Sequence, residues 1–143
     1  MKKMIFILSL VLLLTSCSKD YMVVYDRAIY SDYLASVKMG TPDERKEQEN
    51  IGERLIVCWQ IPGDVFYEAR GWEIVQKVRF GNREEKEIRH PLNSSKGRLR
   101  YDLLDEDYYA KKGIATYKFV LSNVDGIVET WKHQIWVDYI KIE

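Results

Sequence analysis

The stretch Ile114-Ala115-Thr116-Tyr117-Lys118-Phe119-Val120-Leu121-Ser122, then Asn123-Val124-Asp125-Gly126 and a long run to Ile142, decides the fold. Tyr117, Phe119 and Leu121 fall on one face of a period-two pattern, the spacing of a half-buried strand. In the run after Gly126 the periodicity alone is ambiguous, because Ile127, Trp131, Ile135 and Tyr139 also fit helical spacing. The density of aromatic and β-branched residues, and the preceding Asp-Gly, favour a strand. Side-chain faces then set the register. A two-residue Asp125-Gly126 loop sets Phe119 across from Lys132 and mixes core with solvent. A three-residue loop, Val124-Asp125-Gly126, pairs Asn123 with Ile127, Phe119 with Trp131 and Ala115 with Ile135, so it is the expected connection.

Working outward, the same alternation recurs. Leu55, Val57, Trp59 and Ile61 share one face, with Arg54, Ile56, Cys58 and Gln60 on the other, before Pro62-Gly63-Asp64 interrupts. Ile74, Val78 and Phe80 form an inward set against Glu73, Lys77 and Arg79. Leu99, Tyr101 and Leu103 alternate with Arg98, Arg100 and Asp102, and Glu85 to Arg89 reads as a weaker edge strand. Before them, Met22 to Tyr25 reads as a first strand, whereas Ile29, Tyr33 and Val37 at i, i+4 and i+8 read instead as one face of a short helix. Residues 41–52 form a charged loop. Thr41-Pro42-Asp43-Glu44 has the form of a capping box, but Pro42 to Asn50 contains no apolar residue that a helix would bury. The expected architecture is an all-β antiparallel sandwich of about seven strands in a single domain, residues 22–143.

Two fragments resemble the fibronectin type III and immunoglobulin-like group. Arg54-Leu55-Ile56-Val57-Cys58-Trp59-Gln60-Ile61-Pro62 is similar to that fold's second strand, where a core Trp is closely followed by Pro. Tyr117 to Gly126 is similar to its sixth strand and the turn after it. Together they cover about 20 residues. The leucine that the family places some six residues before the sixth-strand tyrosine is Lys111 here, and Trp59 to Tyr117 is long for the family. Such sandwiches mostly serve adhesion, spacing and protein contact, although fold alone does not give function.

The N-terminus carries a different signal. Lys2 and Lys3 precede an apolar stretch, Met4 to Leu14, broken only by Ser9. That length suits a secretory signal and falls short of a membrane span, which needs roughly 18 or more apolar residues. Leu14-Thr15-Ser16-Cys17 resembles the bacterial lipobox. The resemblance implies that residues 1–16 are removed, that Cys17 is diacylated on sulfur, and that residues 17–21 are a lipidated cysteine and a short tether. Each CH₂ of an acyl chain contributes about 0.8 kcal/mol, so two or three chains anchor the protein without a span. Ser18, not Asp, follows the cysteine. Under the enterobacterial sorting rule this implies the outer membrane, facing the periplasm or the cell surface.

Removing 16 of 143 residues leaves 127 with 20 basic and 22 acidic side chains, which gives no electrostatic footprint for nucleic acid. With Cys17 acylated, Cys58 has no partner in the chain and is expected as a buried, inert thiol. The two histidines, His90 and His133, have no metal-ligand spacing, and no cofactor motif is present. Ser94-Ser95 near His90 lack a nucleophile elbow, and Asp105-Glu106-Asp107 lack the alternation of a calcium loop and read as a turn into Tyr108-Tyr109. The expected protein is therefore non-catalytic and binds another envelope or secreted protein. On the assumed phase of the last strand, Lys132, Gln134 and Trp136 point away from the core as candidate partner contacts, Trp136 being the odd aromatic among polar neighbours, unless a bulge turns it inward or a helix covers it. A small apolar ligand or lipid between the sheets is the alternative, and a hydrolase inhibitor using Gln60 to Tyr67 a weaker one.

The anchor is open to direct test. Cys17→Ala is expected to abolish fatty-acid labelling and to release the domain from membranes; a variant that keeps the label contradicts the assignment.

Overall fold

The computed structural model describes residues 20–29 and 51–138. Seven strands, β1 (Met22–Ile29), β2 (Gly52–Gln60), β3 (Glu73–Phe80), β4 (Glu85–Pro91), β5 (Lys96–Leu104), β6 (Ile114–Asn123) and β7 (Gly126–Lys132), form an antiparallel β-sandwich. One sheet has the order β1-β2-β5 and the other β4-β3-β6-β7. β2 and β6 lie in opposite sheets.

The alternation is realised strand by strand. Leu55, Val57 and Trp59 of β2 are buried, as are Ile74, Val78 and Phe80 of β3 and Tyr117, Phe119 and Leu121 of β6. They meet between the sheets, with Met22 and Val24 of β1 closing the core. Met22, Ile74, Leu121 and Val78 are fully enclosed, and burial of such side chains contributes roughly 1.5–3 kcal/mol each.

Three expectations are corrected. The β6–β7 connection is a two-residue turn, Val124-Asp125: Asn123 pairs with Gly126 and Ser122 with Ile127. A bulge after Leu121 then restores the expected pairing of Phe119 with Trp131. The body of the hairpin obeys its side-chain faces, and the bulge absorbs the mismatch with the tighter turn. Second, β7 ends at Lys132 instead of running on to Ile142, and a turn closed by Trp136 N–H to the His133 carbonyl follows. Ala115 therefore has no partner in Ile135. Third, β1 continues through Ile29, so the helical phase starting at Ile29 does not begin there; Tyr33 and Val37 lie outside the described residues, as does most of the 41–52 loop, of which Gly52 already opens β2.

Two short helices escape the sequence reading. α1 (Gly63–Glu68) buries only Phe66, which stacks on Trp72 at 5.9 Å, while Trp72 Nε1 donates to the Phe66 carbonyl. Gln60 to Tyr67 is thus a strand end running into a pinned helix, not a free inhibitory loop. α2 (Asp105–Lys111) replaces the turn expected at Asp105–Asp107. Its last residue, Lys111, lays its ammonium over Phe80 at 4.8 Å. Both helices, with β3, β4 and β5, fill the long stretch from Trp59 to Tyr117.

Gly97 of β5 faces the Trp59 ring so closely that an added Cβ would lie 2.3 Å from a ring carbon. Gly97→Ala is expected to lower stability by about 1–3 kcal/mol through overpacking. Urea unfolding followed by tryptophan fluorescence measures it, and an unchanged midpoint contradicts the packing described.

Candidate functional site

Chemically distinctive side chains gather in two places. The first lies where β1 and β7, the edge strands of the two sheets, flank an opening between them. Asp26, Arg27, Glu53, Tyr117 and His133 line a pocket of about 260 Å³ there. Tyr117 comes from the inward face of β6 and donates from its hydroxyl to Asp26 Oδ2 at 3.2 Å. His133, one residue beyond β7, continues the ladder by donating its N–H to the Tyr117 carbonyl, and its ring lies 5.0 Å from that of Tyr117. Glu53 on β2 accepts the Ile114 N–H. Burial, and then the Asp26 charge and hydrogen bond, push the Tyr117 hydroxyl up to about 12. The phenol therefore stays neutral and acts as a donor that bridges the sheets.

The second place is the outer face of the four-stranded sheet, which residues 133–138 cross. Here Trp136 is only 8% exposed, so it is not an available partner contact. The Arg79 guanidinium lies 3.8 Å above its ring, and Trp136 Nε1 donates to Asp138 Oδ1 at 3.0 Å. Arg79 also donates to the Val137 carbonyl at 2.6 Å and to Glu85 at 2.8 Å. Asp138 in turn accepts from Lys132 at 2.8 Å and Lys118 at 3.1 Å. Lys132, Trp136 and Lys118 together hold the Asp138 carboxyl well below the usual carboxylate range. Because the turn at His133 takes the chain off the ladder and over the sheet's outer face, Trp136 is enclosed there while Ile135 and Val137, at 63% and 70% exposure, face solvent. Lys132 and Gln134 are exposed, with Lys132 bound to Asp138.

The remaining candidates have structural partners. His90 lies on β4 and faces Gln76 at 3.0 Å, and burial lowers its pKa. The Ser94 hydroxyl donates to the Lys96 carbonyl, while the Ser94 and Ser95 carbonyls accept the Trp59 indole and the Ile61 N–H. Cys58 is half-buried, not enclosed, because it sits on the outward face of β2 beside a groove shared with Val23, Tyr25 and Arg98. Among the described residues no group of three or more His, Cys, Asp and Glu is placed to hold a metal ion.

The sequence reading missed Glu129. It sits on the inward side of β7, opposite Leu121 and near the backbone N–H groups of Met22 and Tyr21, with its Oε2 buried and without a hydrogen-bond partner. Burial leads the rise in its pKa, which these N–H groups oppose. The signal was present: the phase that turns Trp131 inward turns Glu129 inward too, and a carboxylate on a core face needs a partner.

Comparison with known proteins places the N-terminus. Residues 1–18 match the model for the prokaryotic membrane lipoprotein lipid attachment site, and Cys17 is the single cysteine in that segment. The protein is a membrane-anchored lipoprotein of the bacterial envelope; Cys17 itself lies outside the described residues. No curated protein and no solved structure matches the chain. Among the described residues no helix is long and apolar enough to cross a membrane.

Tyr117 offers a pH test. Its folded pKa of about 12 exceeds the unfolded value of about 10. The stabilisation is therefore complete below about pH 10 and is lost as pH rises through about 12. Tyr117→Phe is expected to cost about 1 kcal/mol at pH 8, where Asp26 loses a donor, and to reduce the fall in stability between pH 10 and 12. Urea midpoints at pH 8 and pH 11 measure both; equal slopes in the two proteins contradict the assignment.

Proposed function

We propose that this lipoprotein is a non-catalytic contact module that binds another envelope or secreted protein through the outer face of its four-stranded sheet. The observation that carries the reading is the presentation of Ile135 and Val137. These are two β-branched side chains held in solvent by a buried tryptophan and an ion network between them. A contact surface that is already ordered loses little conformational freedom on binding, which favours association. Small apolar groups rimmed by Lys132 and Gln134 have the make-up of a protein contact, an apolar centre within a polar rim.

The non-catalytic reading is supported by the roles of the groups that chemistry would need. The Ser94 hydroxyl, the Gln76–His90 pair and the Tyr117–Asp26 bridge all hold the fold together. A small apolar ligand between the sheets has less support, since Phe119, Met22 and Ile74 fill the interior and the opening beside Tyr117 is lined by charged groups. Ser18 after the lipidated cysteine favours the outer membrane over the inner.

A photo-crosslinking residue at Ile135 or Val137, in cells that acylate the protein, is expected to give a discrete heavier adduct with one protein neighbour. The same residue at Tyr109 on α2 serves as the comparison. Ile135→Asp combined with Val137→Asp should reduce capture by roughly tenfold or more, the effect of losing apolar contacts at an interface centre. Equal adducts at all three positions, or lipid adducts alone, contradict the proposal.

A further inference from the structure

The anchor end of the sandwich has a surface that protein contact does not account for. Tyr21 is fixed at this end: its carbonyl accepts the Gln60 N–H at 2.8 Å, and Met22 beside it pairs with Trp59 in the β1–β2 ladder. The chain thus leaves the domain at one defined point, beside the start of β7. From Asp20 back to Cys17 there are three peptide links, which span at most ~11 Å whatever their conformation. The lipids on Cys17 therefore cannot be far from this end of the domain.

The same end carries the β6–β7 turn, α1 and the start of β5. Strand pairing brings them together, since Met22 opposes Trp59, Gln60 opposes Lys96, and Glu73 opposes Ser122. The Val124 N–H donates to the Arg70 carbonyl at 3.0 Å, which ties the turn to the segment after α1. Gly71, at φ +68°, makes this approach possible: a Cβ there would lie 2.9 Å from Val124 Cγ1. At this end Tyr67 of α1, Val124 of the turn and Ile127 of β7 expose most of their side chains. An exposed aromatic and two aliphatics beside a lipid anchor have the composition of a membrane-interface contact. The charges nearby are of both signs, Lys96 and Arg70 against Asp64, Glu68 and Asp125, so nothing here selects anionic lipid.

We propose that the anchor end of the domain rests in the headgroup layer of the phospholipid bilayer, with Tyr67, Val124 and Ile127 inserted at the interface. The domain is then docked with a fixed orientation, its α2 end pointing away from the membrane, and does not swing freely on its tether. Apolar insertion, not charge, holds it there, so docking is insensitive to salt and occurs on zwitterionic lipid.

The acylated full chain, purified from bacterial membranes and reconstituted at about one copy per phosphatidylcholine vesicle, tests this. A membrane-impermeant maleimide would report Tyr67→Cys and Ile127→Cys at the anchor end and Tyr109→Cys at the far end, with Cys58 in the unsubstituted chain as background. The expected result is labelling slowed by roughly tenfold at the first two positions relative to the same substitutions on a Cys17→Ala chain, and no slowing at Tyr109→Cys, in low and high salt alike. Equal rates at all three positions on the vesicle would overturn the proposal. So would protection that appears only when the copy number per vesicle is raised, which would assign the surface to a second copy of the chain.

Discussion

The apolar packing between the two sheets is the constraint on which the rest of this structure depends. With Cys17 assigned to lipid and Cys58 unpaired, no disulfide links the halves, and the sheets are held by side chains alone. Phe119, Leu121, Ile74 and Val78 on one side meet Met22, Leu55, Val57 and Trp59 on the other. A strand slip of one residue would turn a whole row of these to solvent, so packing also enforces the registers. This explains why the β6–β7 hairpin keeps Phe119 opposite Trp131 and accepts a bulge nearer the turn, where Val124 and Ile127 are exposed and a shift costs little burial.

At the sandwich edge, polar groups take over from packing. β1 and β7 belong to different sheets and share no ladder, yet polar side chains meet across the edge beside them. Near the anchor, the Glu129 carboxylate lies close to the Tyr21 and Met22 N–H groups; farther along, the Tyr117 hydroxyl donates to Asp26. Both act in partly buried surroundings, where an unmet polar group costs about 1–3 kcal/mol.

The strands were legible because a half-buried strand writes its burial into every second residue; the faces predicted for Leu55–Ile61, Ile74–Phe80 and Tyr117–Leu121 are the buried ones. The helices were not, because each is a turn or two long, lacks a side-chain cap, and is held by tertiary contacts such as Phe66 on Trp72. The covering of Trp136 was not legible for a related reason. Alternation is reliable only while the ladder lasts, and the Trp136 N–H bond to His133 ends it without a glycine or proline to mark the break. Trp136 does lie outside the core, as its phase suggested, but Arg79 and Asp138 enclose it there. Arg79 lies 57 residues earlier, and a contact at that separation leaves no local periodicity to read.

These placements separate the two surfaces by height. β7 runs from Gly126 at the anchor end to Lys132, six steps of a strand, which is about 20 Å. Ile135 and Val137 follow it, beside Arg79 near the far end of β3. With the anchor end in the headgroups, this apolar pair stands roughly 20 Å above them, past the bilayer surface and within reach of a soluble or membrane-bound partner. The bilayer would be held by the turns at one end and the partner by the sheet face near the other, so neither contact would obstruct its counterpart. Only a domain whose exit point is fixed can maintain that separation, and here the fixing falls to the hydrogen bond from Gln60 to the Tyr21 carbonyl and to the β1–β2 pairing that begins at Met22.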